Sequence, residues 1–354
     1  MGKLDNIKTL LERIHASEAT GFKYDEDAIL KEYKTQQDNS SNITIKVLSI
    51  FGGFLATLAF MAFLGISGFY NSEVTLLIFG ITFVISAIIL NRKFHKLIID
   101  TFSISIYILG IILIAFGLSE LGISINMVTL LIGLTAISTI ATTQNLILSF
   151  ISVLIIGGSI LTLIFYNKAY NLIHLYIAFY TFTLTYIFLN EAKIVSTGKI
   201  LSRLYNPVRI GIIFSLLFGL ISIGKRNLID ISLNHIWISS IFTAVIIIYL
   251  VHIIIKINQV ESVKSKVLIY ALSCLWIITT LFAPAISGAI IIVLLSFLVN
   301  YKTGLTIGII SIIYFISQYY YDLNLTLLIK SIILFSSGII FLGFYLFTTK
   351  NKNL

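Results

Sequence analysis

The chain has 354 residues, of which 58% are hydrophobic and 11% charged, against roughly 25% charged in an ordinary soluble domain. So few charges cannot cover a water-facing surface, so lipid is the expected solvent for most of the polypeptide. The net charge of +9 does not point to nucleic acid, because the basic residues sit between apolar runs rather than on one face. The single cysteine, Cys274, lies inside an apolar run, which excludes an intramolecular disulfide and a cysteine-based zinc cluster.

Residues 1–46 are the soluble-looking segment, with 8 of the 15 acidic and 7 of the 24 basic residues. Leu4, Ile7, Leu11 and Ile14 recur at spacings of three and four, the stripe of an amphipathic helix. After a turn near Gly21, a second short helix opens on Asp25, Glu26 and Asp27, where the helix dipole favours acids. Mixed charge argues against a basic lipid-binding helix, so a small cytoplasmic helical cap is expected. The segment is too charged for a secretory signal, and Asn6 stands where a myristoylation start needs Ser or Thr.

Residues 47–347 are a series of apolar runs, and 348–354 a cytoplasmic tail. Spans are predicted near 47–69, 73–90, 97–118, 124–142, 146–166, 172–189, 208–223, 236–255, 267–282, 285–299, 303–321 and 325–347. Each approaches the ~20 residues that cross a hydrocarbon core. Two breaks follow from length. Residues 124–166 as one helix would measure ~64 Å, about twice the core, so Thr142–Asn145 is read as a hairpin. Residues 267–299 would reach ~50 Å, and Pro284 is the natural break because proline cannot donate to the preceding turn.

With the N-terminus inside, twelve spans put 20 of the 24 Lys and Arg residues on the inner side and 4 (Lys168, Lys225, Arg226 and Lys330) on the other. This positive-inside bias predicts an all-α polytopic transmembrane bundle of about twelve spans with both termini cytoplasmic. Glu73, Glu120, Asp230 and Asp322 then fall on the outer side.

Charged groups inside spans are costly and are functional candidates by default. Lys330 lies about five residues into the last predicted span, where it opposes both the helix dipole and the charge bias. Two readings stay open. One is a functional pair of Lys330 with Asp322, Asp230 or Glu120 at the rim of an outer cavity, beside Tyr319, Tyr320 and Tyr321; the other is a snorkelling lysine. Arg209, after Pro207 at the inner end of a span, is expected to snorkel to lipid phosphates, and Asp100 to pair with Lys96. His15, His95, His174, His235 and His252 form no metal-ligand pattern and are read as interfacial. Tyr176, Phe179, Tyr180, Phe182 and Tyr186, with Thr181 and Thr185, offer either a groove for a hydrophobic ligand or, through the threonines, a helix contact. Gly304 and Gly308 have the spacing that lets helices approach closely. No catalytic, phosphate-loop or metal motif occurs in the sequence, so no cofactor and no metal are expected.

The C-terminal region carries a resemblance. Pro284 opens a short span, and a further span ends in Tyr319-Tyr320-Tyr321-Asp322-Leu323. The segment Thr326-Leu327-Leu328-Ile329-Lys330-Ser331 and an apolar tail with Gly338 follow. Together they resemble the bacterial multi-pass membrane family catalogued as domain of unknown function 4401. The resemblance implies a bacterial cytoplasmic (inner) membrane, no assigned activity and, because family members are often encoded beside a second membrane-associated protein, a partner of that kind. Membrane lipids are the other expected contact. The expected function is therefore a non-enzymatic membrane component acting with a partner membrane protein. The alternative is a transporter or flippase for a small hydrophobic or lipid-like substrate, although transporters keep ionisable or broken-helix sites at the midplane, which here is nearly free of charge. A membrane enzyme ranks third, since only the Lys330–Asp322 region offers an acid–base group.

Overall fold

The computed structural model describes residues 59–68, 72–93, 97–143, 145–225 and 235–322, with isolated positions elsewhere. Regular structure among these residues is entirely helical. The helices are α1 Glu73–Lys93, α2 Leu97–Glu120, α3 Ile125–Thr142, α4 Leu146–Tyr166, α5 Leu172–Leu189 and α6 Glu191–Ser196. They continue as α7 Lys199–Gly224, α8 Trp237–Ile257, α9 Val263–Thr279, α10 Pro284–Leu298 and α11 Lys302–Asp322. Eight of them (α1–α5, α7, α8 and α11) are long and apolar enough to cross a membrane. Of the first predicted span, 59–66 is helical; the last span and the N-terminal cap lie outside the described residues apart from single positions.

Both predicted breaks are present. α3 stops at Thr142, and Asn145 caps α4, its Oδ1 accepting from the amides of Ile147 at 2.8 Å and Leu148 at 3.0 Å. Those amides have no intrahelical acceptor, so Asn145→Ala should cost about 1 kcal/mol in denaturant unfolding of the detergent-solubilised protein, and Asn145→Asp should restore it. α9 ends at Thr279 and α10 begins on Pro284, at a helix position that needs no N–H. Ser287 Oγ donates to Thr280 Oγ1 across this break at 2.8 Å.

α7 departs from expectation. It begins at Lys199 rather than near 208 and runs 26 residues through Pro207. A proline removes one ladder bond, and in a packed bundle that loss does not end the helix. The stretch read as a loop between spans is thus α6 followed by the first turns of α7.

The chain divides into two compact units, Met1–Leu121 and Gly122–Leu354. In the first, α1 and α2 run antiparallel with their backbones in contact. A Cβ on Gly80 would sit 2.9 Å from the Ile114 amide nitrogen, and one on Gly110 would sit 2.8 Å from the Gly80 carbonyl oxygen. Leu64, Leu76, Leu109 and Leu113 form a small cluster in this unit.

In the second unit α7 is the axis, packed on α4, α5, α10 and α11. Of its apolar window 61% is buried, against 22% for α3 and α11. Small residues set the crossings: Gly157 meets Ser215, Gly211 meets Val153, and Gly288 meets Leu220. The predicted Gly304–Gly308 pair brings α11 onto α10, against Ser296 and Val293. On α5, Thr181 and Thr185 are buried, and each donates to the carbonyl four residues back on its own helix, Ile177 and Thr181. Tyr176 and Tyr180 are buried, whereas Phe179, Phe182 and Tyr186 face outward, so the five rings divide between two faces rather than lining one groove.

Candidate functional site

α7 carries a cation into the packed interior of the second unit. Arg209 is 4% exposed and is the one buried charged side chain among the described residues. Tyr205 and Asn206 stand four and three residues before it, on the same helical face. Arg209 Nη1 donates to Glu191 Oε2 at 3.2 Å, and Nη2 donates to Asn206 Oδ1 at 2.6 Å. The guanidinium carbon lies 3.6 Å from the ring centroid of Tyr301, 4.7 Å from that of Tyr205 and 5.3 Å from that of Phe188. Tyr205 Oη in turn donates to the Ile187 carbonyl at 3.1 Å.

The cage joins four places: the end of α5, the start of α6, α7, and the turn between α10 and α11. An isolated buried guanidinium would be expensive, and here the carboxylate and the π faces offset the lost hydration. Snorkelling is therefore replaced by enclosure. The reason is position: α7 starts ten residues before Arg209, which sets the side chain ~15 Å along the helix instead of at its mouth.

Tyr301 also belongs to the wall of a cavity of about 350 Å³, whose polar lining is Ser296, Asn300, Tyr301, Lys302 and Thr306. Two polar atoms at this end of the unit are buried without a partner, Arg209 Nε and Ser296 Oγ.

The residues singled out from sequence lie elsewhere. Asp322 ends α11 and accepts from Gln318 Nε2, one turn earlier, at 2.9 Å. Tyr319, Tyr320 and Tyr321 form the last helical turn of α11, with Tyr321 79% exposed. With 21 residues, α11 is ~30 Å long, so this end is a helix length from Tyr301 and Lys302. Glu120 is exposed at the end of α2 in the other unit. Lys330, Asp230 and Lys96 lie outside the described residues, as does the side chain of Asp100.

His174 is enclosed by protein. It is 3% exposed in the first turn of α5, with Nδ1 2.7 Å from Ser239 Oγ on α8 and Nε2 buried without a partner. His252 is exposed, 3.0 Å from Tyr270 Oη. Among the described residues no three His, Cys, Asp or Glu side chains gather as metal ligands.

Compared with known proteins, residues 43–351 match the family model described as Domain of unknown function (DUF4401). No curated protein and no solved structure matches the chain.

Proposed function

The chain belongs to the family of domain of unknown function 4401, and on that premise we propose a non-enzymatic component of a bacterial inner membrane that crosses the bilayer twelve times and acts with a second membrane-associated protein. Eight helices have the length and apolarity of spans, and the two contested breaks fall where a count of twelve requires them. The 20-to-4 distribution of basic residues supports cytoplasmic termini. The match covers 43–351 and so leaves most of the 1–46 segment, read as a cytoplasmic cap, outside it. In this topology the Arg209 cage is at the cytoplasmic end, and the proposed pairing of Lys330 with Asp322, Asp230 or Glu120 is at the outer end.

The observation that carries the non-enzymatic reading is the occupation of Arg209. Glu191, Asn206 and three aromatic rings surround its guanidinium, so the strongest charge in the core clamps helices together rather than facing a substrate. Affinity purification of the tagged full-length chain, from cells expressing its genomic neighbours, is expected to yield a second membrane protein in comparable amount. Recovery of this chain alone would overturn the partner role. Reporter fusions at the two termini should both read cytoplasm, and opposite faces would overturn the twelve crossings.

The second reading, a transporter or flippase for a small hydrophobic or lipid-like molecule, is favoured by the cavity beside Tyr301. Altered lipid export or solute efflux in deletion cells, restored by the wild-type chain, would select it.

A further inference from the structure

We infer that the cavity at the turn between α10 and α11 is a binding site for a phosphate group, supplied by an anionic phospholipid headgroup or by free phosphate. Three independent features meet there. The first is the helix start. Leu305 N donates to the Tyr301 carbonyl at 3.0 Å, which makes Tyr301 the cap and leaves the amides of Lys302, Thr303 and Gly304 without intrahelical acceptors. Such amides and the positive end of the dipole favour an anion.

Three of the last carbonyls of α10 are already engaged at this turn. Val299, Asn300 and Tyr301 donate their amides to the carbonyls of Leu295, Phe297 and Ser296 at 3.2, 3.2 and 2.8 Å. Asn300 makes this possible by turning the chain at φ +53°, a left-handed conformation that asparagine tolerates.

The second feature is Ser296. It is fully buried, lines the cavity, and its Oγ has no hydrogen-bond partner. A Cβ on Gly304 would collide with that hydroxyl, so the absence of a side chain at Gly304 lets the hydroxyl abut the first turn of α11. A buried hydroxyl left unpaired is costly, and a phosphate oxygen is an acceptor for it.

The third feature is charge and shape. Lys302 is exposed on the cavity wall, and the ring of Tyr301 has the Arg209 guanidinium 3.6 Å from its centroid. Among the described residues no acidic side chain lines the cavity, and its volume of about 350 Å³ is that of a small-ligand pocket. Phe297, 63% exposed, and Leu305 flank the polar residues, an arrangement suited to a headgroup with acyl chain attached. The lipid source rests on the membrane reading given above, whereas the phosphate chemistry does not.

Full-length protein in neutral detergent would be examined by native mass spectrometry with dioleoyl phosphatidylglycerol and with dioleoylglycerol, which has the same chains and no phosphate. Inorganic phosphate would be titrated separately against the unfolding temperature. Lys302→Gln should reduce phosphatidylglycerol retention about tenfold, as expected for a lost charged hydrogen bond, and Ser296→Ala should reduce it about threefold. Lys256→Gln, at a different surface cavity, should leave it unchanged. Lys302 is exposed and Ser296→Ala removes only an unpaired hydroxyl, so both variants should fold, with unfolding temperatures in the absence of ligand as the check. Stabilisation by inorganic phosphate that Lys302→Gln abolishes would support the site with free phosphate as its source. Retention of phosphatidylglycerol that neither variant weakens, or equal retention of dioleoylglycerol, would overturn it. Failure of the membrane reading would show instead as a chain stable without detergent.

Discussion

Arg209→Ala is expected to lower the unfolding free energy of the detergent-solubilised protein by about 3–5 kcal/mol, the range for breaking a buried ion pair. Three losses coincide: the Glu191 and Asn206 hydrogen bonds, the contacts with three rings, and the volume that the side chain fills. Glu191→Gln should cost less, about 1–2 kcal/mol, because the amide oxygen still accepts from the guanidinium and the Asn206 bond and the three rings stay in place, at a position whose side chain is 34% exposed. Arg209→Lys should not recover the loss, because an ammonium neither stacks on Tyr301 nor bonds Glu191 and Asn206 together.

The informative variant is the double one. Arg209→Met with Glu191→Gln removes both charges and keeps apolar volume, so it should be more stable than Arg209→Ala by at least about 2 kcal/mol. Chemical unfolding of the four variants measures this. If the double variant folds like the parent and still complements a deletion strain, the cage is a clamp. If it folds and fails to complement, the cation has a task beyond holding α5, α6, α7 and the α10–α11 turn together.

What the sequence revealed and what it concealed divide along a physical line. Span length, the cap at Asn145 and the break at Pro284 depend on residues adjacent in the chain, and these were legible. The cage depends on Phe188, Glu191 and Tyr301, which only folding brings to Arg209. Part of it did have a local signal, since Tyr205, Asn206 and Arg209 share a helical face. That signal was hidden by taking Pro207 as a helix start, when α7 begins two turns earlier. The burial of His174 was concealed for a similar reason, since its partner Ser239 is 65 residues away. Asp322 drew notice through its charge, yet its partner Gln318 stood one helical turn back and was readable from spacing alone.

The α1–α2 crossing offers the second large effect, and it tests packing with no charge involved. Gly110→Ala is expected to destabilise the first unit by about 2–3 kcal/mol, at the upper part of the usual overpacking range. A methyl at Gly110 meets the Gly80 carbonyl oxygen and the Val84 amide nitrogen at 2.8 and 2.9 Å, and backbone cannot rotate aside as a side chain can. Gly80→Ala should behave alike, because its methyl meets the Ile114 amide and the Gly110 carbonyl. Gly158→Ala is the control: nothing lies within 4 Å of its added methyl, and in a helix interior it should be neutral or stabilising by up to about 1 kcal/mol. Hydrogen exchange gives the location of the effect. Protection should fall across α1 and α2 in the Gly110 variant while α7, in the other compact unit, keeps its own. Unchanged protection in α1 and α2 would mean that the two backbones do not touch, and that apolar side chains alone hold the pair.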